Sequence, residues 1–167
     1  MDLEALGPVS MTVDCEILNA DGGTRCASIT AGSIALRLAI RRLINSGRSL
    51  PSKLRPTEQQ RKDGWKPPTL TSGDALRHEA SVMPHDVAAL SVGMVDGDVR
   101  VDLDYVLDSN ADVDMNVVMT SAGSFVEIQG TGEEATYTRN ELDSMIDKAV
   151  QGINKLHVLQ ALSLIHI

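Results

Sequence analysis

A glycine-rich turn between two apolar segments of different period constrains the fold of this chain most. Before the turn, from Val9 to Ile17, apolar side chains alternate with polar ones, and this period of two predicts a half-buried β-strand. After the turn, from Ile29 to Ile44, apolar side chains recur at helical spacing on most sides, which predicts a helix packed against a sheet. The chain around residues 19–28 is therefore predicted to form a strand–turn–helix unit.

The turn itself admits two interpretations. Gly22 and Gly23 allow a ligand to approach the backbone, and the free amides at the start of the following helix attract anions. Thr24 and Arg25 add a hydroxyl and a forked cation, both suited to phosphate. The turn is either an anion site or a plain connection, and the pattern alone favours the connection because it contains no complete phosphate-loop motif.

Composition predicts one domain, or a large part of one, with an aliphatic core, because 43% of the residues are hydrophobic and only 2% are aromatic. No apolar run is long enough to span a membrane, and the first residues lack the order of a signal peptide. These features predict a cytoplasmic protein. Cys15 and Cys26 are too few for a structural zinc site and suit a reducing compartment, with a disulfide between them as the alternative.

Charge is distributed unevenly along the chain. The formal net charge of −8 argues against simple nucleic-acid binding, yet ten of the 15 basic residues lie between Arg37 and Arg77. Within this region, residues 48–80 are rich in proline and are predicted to form a long basic loop. The loop is either disordered or loosely wrapped over the surface, or it contacts RNA, and the candidate RNA contacts are Arg55, Arg61, Lys62, Trp65 and Lys66.

The second half of the chain is predicted to contain two hairpins. A continuous apolar strand from Val87 to Val95 precedes the turn pair Asp96-Gly97, and alternation then continues from Val99 to Tyr105. Residues 114–120 and 125–129 form the second predicted hairpin. A capped helix is then predicted from Thr138, and its apolar face comprises Leu142, Met145, Ile146, Ala149, Val150 and Ile153.

Two carboxylates, Asp108 and Asp114, are six residues apart with Asp112 between them. At a strand end followed by a tight turn, this spacing can bring the two side chains together, where they would hold a hard divalent cation with oxygen ligands. Alternatively, Asp108 starts a turn while Asp112 and Asp114 are solvated. The pattern alone favours the second interpretation.

Two stretches of the chain resemble the ribonuclease PH family of phosphate-dependent 3′→5′ exoribonucleases. The first is Val13–Thr30, which contains the glycine turn, and the second covers much of the C-terminal half. The resemblance covers roughly residues 2–46 and 81–154, and the C-terminal segments that carry it are Leu90–Gly97, Asp102–Tyr105, Asp108–Thr120 and Val126–Thr131.

The resemblance implies an α+β (two-layer α/β) domain with a mixed sheet and helices packed on one face. It implies an enzyme that trims the 3′ ends of tRNA precursors and other structured RNA, releases nucleoside diphosphates and assembles as a hexameric ring. Inorganic phosphate, the co-substrate, is expected on Gly23, Thr24 and Arg25. Asp108 and Asp114 are expected to be catalytic and to bind Mg²⁺.

The chain also departs from the family pattern. Leu107 stands where an acidic residue is common, and Cys26 stands where threonine is common. The family has an N-terminal half with an arginine-rich helix before the residues matched here, so residues 1–155 are expected to be a partial domain with residues 48–80 inserted. The alternatives to an enzyme are a non-catalytic RNA-binding ring scaffold of the exosome-core type and an inactive truncated fragment.

Residues 156–167 are expected to be a tail outside the domain. Its last six residues, Leu162–Ile167, match one translation frame of a transposon end used in sequencing. They are therefore expected to be an artefact, with an apolar helix end as the alternative.

Overall fold

The computed structural model describes residues 1–132 and 135–166. Contacts divide the chain into two compact units: residues 1–13 with 35–85, and residues 14–34 with those from Asp86 onward. The helices and strands are α1 (Leu3–Leu6), α2 (Thr24–Asn45), a 3₁₀ helix (Ser52–Leu54), α3 (Glu58–Lys62), α4 (Ser72–Val82), β1 (Val87–Val95), β2 (Asp98–Val101), α5 (Tyr105–Asp108), β3 (Val113–Thr120), β4 (Phe125–Gly132) and α6 (Arg139–His166).

The second unit is built on a four-stranded sheet in the order β2-β1-β3-β4, in which every pair is antiparallel. One face of the sheet packs against α6. Met145, Ala149 and Ile153 of that helix are fully buried against it. Because side chains alternate along a strand, one set of alternate residues on β1 and β3 builds this core.

The start of α2 packs against the opposite face of the same sheet. Cys26 and Ile29 contact Ala89 and Val118. The Thr30 hydroxyl also donates to the carbonyl of Ala89 at 3.3 Å and accepts from its amide at 3.0 Å. The α+β class is therefore confirmed, with two differences in detail: the described sheet is antiparallel and not mixed, and helices cover both of its faces. Short hairpin connections between neighbouring strands account for the antiparallel arrangement.

Both predicted hairpins and the predicted helix are confirmed. Asp96 and Gly97 have φ values of 53° and 79°, as a two-residue type I′ turn requires. Thr138 and Glu141 form a capping box at the start of α6, because the Glu141 amide donates to the Thr138 hydroxyl at 3.3 Å and the Glu141 carboxylate accepts from the Thr138 amide at 2.6 Å.

Two strand predictions were wrong. The alternating segment from Val9 to Ile17 is irregular, and Val13 and Ile17 remain 48% and 44% exposed. Alternation marks a surface that fits a sheet, but among the described residues no strand pairs with this segment. Tyr105 begins α5 and does not continue β2, because the Asp104 carboxylate caps the helix by accepting from the Leu107 amide at 2.8 Å.

The first unit contains α1, α4 and the later part of α2. Leu6, Ile40, Ile44, Val82 and Met83 form its core. The prediction of a loop over residues 48–80 was wrong, because this stretch forms a 3₁₀ helix, α3 and most of α4. The prolines of this stretch favoured a loop, although the hydroxyls of Thr57 and Thr71 are N-caps that start α3 and α4.

A buried ionic cluster joins helices α2 and α4 within the first unit. Arg37 and Arg41 contact the two carboxylate oxygens of Glu79 at 3.0 Å and 2.9 Å. Arg37 also donates to the carbonyl of Met83 at 2.9 Å. Glu79 is 6% exposed and Arg37 is 9% exposed, so both charges are largely removed from water.

The expected tail from residue 156 is a continuation of α6. Gln160, which is 2% exposed, donates to the carbonyls of Thr30 and Val87 at 3.1 Å and 2.9 Å, and Leu164 is buried. Residues 162–166 are thus helical. Ile167 lies outside the described residues, and the artefact interpretation stays a prediction. Across the described residues, no helix combines the length and apolarity needed to cross a membrane.

Candidate active site

The sheet face beneath the start of α2 carries an unusual number of polar side chains. The strand register sets them in three rows across β1, β3 and β4: Gly93–Asp114–Thr131, Ser91–Asn116–Gln129 and Ala89–Val118–Glu127. Ala89 and Val118 contact Cys26 of α2. Because alternate residues of a strand share a face, the other members of these rows lie on the same side.

The glycine turn packs closely against the segment that leads into α5. Gly22 and Gly23 have φ values of 65° and 52°. A Cβ atom on Gly22 would lie 2.1 Å from the carbonyl oxygen of Leu103, and one on Gly23 would lie 3.2 Å from the Ser91 hydroxyl. The turn therefore requires glycine both for its backbone conformation and for the space available.

A hydrogen bond also connects these two segments. The Asp21 carboxylate accepts from the Tyr105 amide at 3.0 Å. The predicted phosphate turn is thus held beside the short helix that ends at Asp108.

Arg25 lies in the first turn of α2 and reaches β4. Its guanidinium contacts both carboxylate oxygens of Glu127, at 2.8 Å and 2.9 Å, and donates to the Gln129 side-chain oxygen at 3.2 Å. The hydrogen bond between Arg25 and Glu127 raises the pKa of Arg25 and lowers that of Glu127. Both groups are therefore charged at neutral pH.

Cys26 is buried beside Arg25, and its thiol donates to the Asn116 side-chain oxygen at 2.9 Å. Burial raises the pKa of the thiol to about 11, with Arg25 opposing the shift and Asp114 adding to it. The thiol is therefore neutral at physiological pH. Cys15 is exposed, and neither cysteine forms a disulfide.

The two predicted catalytic carboxylates lie on different elements. Asp114 occupies β3 on the polar face, whereas Asp108 is the exposed last residue of α5. No group of three or more histidine, cysteine, aspartate or glutamate side chains within the described ranges could hold a metal ion. Mg²⁺ characteristically binds one or two carboxylates and completes its shell with substrate phosphates and water, so the chemistry of these two side chains suits that ion.

Sequence reasoning missed four polar residues of this face: Ser91, Asn116, Glu127 and Gln129. Three of them could have been found from the alternation of side chains along a strand, which places residues two apart on the same face. Asn116 is two residues after Asp114, and Glu127 and Gln129 are two residues apart on the next strand. The pairing register, which aligns the two strands, could not be read from the sequence alone.

The candidate RNA contacts in the first unit occupy different environments. Arg55 donates to the backbone carbonyls of Leu50, Glu4 and Ala5, so its guanidinium holds this unit together. Lys62 pairs with Glu58 at 2.9 Å, and Lys66 is exposed. Arg61 and Trp65 line one cavity of about 300 Å³, whose lining also includes Arg48 and Arg55.

Comparison with known proteins agrees with this architecture. Residues 85–152 match the model described as 3′ exoribonuclease family, domain 2. Ribonuclease PH of Rhodopirellula baltica is 46% identical over 165 residues, which is 99% of this chain and 57% of that protein. The chain is similar to ribonuclease PH along almost its whole length. The ribonuclease PH enzymes of Crocosphaera subtropica and Corynebacterium glutamicum are 40% and 44% identical over 96% and 98% of the chain, and each is covered to 55%.

The chain thus spans just over half the length of these ribonuclease PH relatives. An alignment over 99% of the chain includes residues 48–80, so the expectation that resemblance stops in the middle was wrong. The crystal structure of rice Rrp46 covers 88% of this chain and 50% of its own, with a TM-score of 0.55 and 11% identity. That similarity supports the ribonuclease PH-like fold.

Proposed function

We propose that this chain supplies the phosphate and carboxylate groups of a phosphorolytic 3′→5′ exoribonuclease. The observation that carries the proposal is that, in a relative of ribonuclease PH, the glycine turn, Arg25 and Asp114 all belong to one polar region. Arg25 pairs with Glu127 on β4, and Asp114 lies on the neighbouring strand β3 of the same face. A cation beside a helix start and a carboxylate nearby suit a reaction between phosphate and a phosphodiester.

In the proposed reaction, phosphate binds at Gly23, Thr24 and Arg25. One phosphate oxygen bonds to the phosphorus of the last RNA linkage, and the bond from that phosphorus to the 3′ oxygen of the preceding ribose breaks. The products are a nucleoside diphosphate and an RNA shortened by one residue with a free 3′ hydroxyl. Asp108 and Asp114 would hold Mg²⁺, which when bound offsets negative charge on the reacting phosphates, and they assist departure of the 3′ oxygen.

The proposed substrates are the 3′ ends of tRNA precursors and other structured RNA. A hexameric ring and a cytoplasmic location are part of the same proposal. They rest on resemblance to the ribonuclease PH family and stay predictions.

The direct test is the Arg25→Ala variant. We expect the KM for phosphate to rise by about tenfold or more, because charge-assisted hydrogen bonds to phosphate are lost. The measurement is the release of nucleoside diphosphates from RNA over a range of phosphate concentrations. Arg139→Ala is the matched control, since it removes an exposed arginine that pairs with Asp143 at the start of α6.

Normal phosphate dependence in Arg25→Ala would contradict the assignment of Arg25. RNA binding without any phosphate-dependent release would instead indicate a non-catalytic scaffold. The Arg139→Ala control should behave as the unsubstituted protein does in both measurements.

Trp65 provides a separate prediction about RNA. We propose that a base stacks on Trp65 while Arg48 and Arg61 face the RNA backbone, because no acidic side chain lines their cavity. The Trp65→Ala change should weaken RNA binding about fivefold or more, because base stacking on an aromatic side chain is lost. Fluorescence anisotropy with a labelled single-stranded RNA measures this effect.

Leu76→Ala is the control for Trp65→Ala, because Leu76 is 61% exposed on α4 of the same unit and lies outside the cavity lining. Equal RNA affinity in the two variants would show that Trp65 makes no contact with RNA.

A further inference from the structure

The contacts of Arg25 leave one edge of its guanidinium available. Nη1 contacts Glu127 Oε1 at 2.8 Å and donates to Gln129 Oε1 at 3.2 Å, and Nη2 donates to Glu127 Oε2 at 2.9 Å. The Glu127 carboxylate therefore binds the guanidinium end-on, through both terminal nitrogens. Gln129 takes the outer hydrogen of Nη1.

A guanidinium carries five N–H groups arranged as a rigid planar fork. The contacts with Glu127 and Gln129 use three of them. The remaining two, on Nε and on the outer side of Nη2, lie along one edge of the plane, and neither donates to another described residue. Such an edge binds two oxygens of a phosphate at once.

The residues that hold Arg25 are themselves fixed by the sheet. Glu127 and Gln129 lie two residues apart on β4, and their backbones pair with Val118 and Asn116 of β3. Arg25 has a side chain that is 48% exposed. Without an anchor, such a long side chain would populate many rotamers, and ordering it would reduce the affinity for a ligand.

We propose that Glu127, assisted by Gln129, is a positioning residue that holds Arg25 end-on so that the edge formed by Nε and Nη2 receives inorganic phosphate. This inference rests on the proposed function, because it assigns phosphate to Arg25. The opposite arrangement would be a Glu127 carboxylate that competes with phosphate for the same N–H groups. The two arrangements predict changes of opposite sign when Glu127 loses its charge.

The experiment compares the unsubstituted chain with Glu127→Gln. Isothermal titration with inorganic phosphate gives Kd, and release of nucleoside diphosphates from RNA gives the KM for phosphate and kcat. We expect Glu127→Gln to raise both Kd and KM for phosphate by about three- to tenfold, because Arg25 loses its fixed orientation. The kcat at saturating phosphate should change by less than about twofold, since Arg25 still binds phosphate once it is ordered.

Three further variants sharpen the interpretation. Asp143→Asn is the matched control, because it neutralises the partner of another exposed arginine, Arg139, away from the polar face. Glu127→Asp keeps the charge and should recover part of the phosphate affinity. The double variant Arg25→Ala/Glu127→Gln should have the same phosphate KM as Arg25→Ala alone, because Glu127 acts through Arg25.

An unchanged or lowered phosphate Kd in Glu127→Gln would overturn the positioning role, and so would an unsubstituted chain that binds no phosphate. Phosphate-dependent release that requires Arg25 but is insensitive to Glu127 would overturn this inference alone. Phosphate binding that depends on Glu127, in a protein that releases no nucleoside diphosphate, would overturn the proposed function and support the positioning role.

Discussion

Replacing Glu79 by alanine should lower the free energy of unfolding by about 3–5 kcal/mol, because the buried Arg37 guanidinium loses its ion pair with Glu79. The Glu79 carboxylate contacts both Arg37 and Arg41, and Arg37 is 9% exposed. Arg37 cannot return to water without opening the contact between α2 and α4, whereas the Arg41 side chain is already 32% exposed. Urea unfolding followed by circular dichroism measures the change.

The matched control is Glu58→Ala, which removes a carboxylate paired with Lys62 in the same unit. Both of these side chains are largely exposed, at 85% and 66%, and exposed pairs contribute little to stability. We therefore expect little change in the urea midpoint of the control. A Glu79→Ala midpoint equal to that of Glu58→Ala would show that the buried cluster does not stabilise the first unit.

The second large effect is expected from Asp114→Asn, which should lower kcat by about 100- to 10,000-fold. The reason is that the variant loses a carboxylate that assists proton transfer or holds the metal ion. Asparagine has nearly the same size as aspartate, so β3 should keep its pairing with Gly93 and Thr131. The measurement is the release of nucleoside diphosphates at saturating phosphate and Mg²⁺. The KM for phosphate should change little, because Arg25 and the glycine turn remain.

Asp112→Asn is the control for this change. Asp112 lies two residues before Asp114, is exposed and carries the same charge, so it tests whether any carboxylate in this segment suffices. Equal loss of turnover in the two variants would mean that the segment acts through its total charge. Normal turnover in Asp114→Asn would exclude a catalytic role for Asp114.

Much of the second unit could be predicted from its sequence because its signals are local. The Asp96-Gly97 pair determines a turn, and Thr138 with Glu141 determines a helix start, whatever the rest of the chain does. The segment from Val9 to Ile17 shows the limit of such reasoning, since a strand exists only where another strand pairs with it. The helix α4 was missed because neighbouring prolines outweighed its cap at Thr71.

Only some members of the candidate site could be proposed from the sequence, for the same physical reason. Gly23 and Arg25 could be named from a contiguous motif, and Asp114 from its resemblance to a known pattern. The partner of Arg25 could not be named, because Glu127 is 102 residues away in sequence and is brought near only by the register of β3 and β4. Burial of Cys26 also depends on packing across the sheet, so the raised pKa of its thiol had no signal in the sequence.

The contact between Gly22 and the Leu103 carbonyl has a consequence for how this protein can vary. It joins two backbones, so its spacing does not depend on which side chains occupy the positions that follow Leu103. Side chains at positions such as 107 can therefore change while the separation between the turn and the acidic segment is preserved. The same contact makes position 22 intolerant, because even a methyl group would push the two segments apart. Evolutionary freedom in one segment is thus coupled to strict constraint at a single glycine in the other.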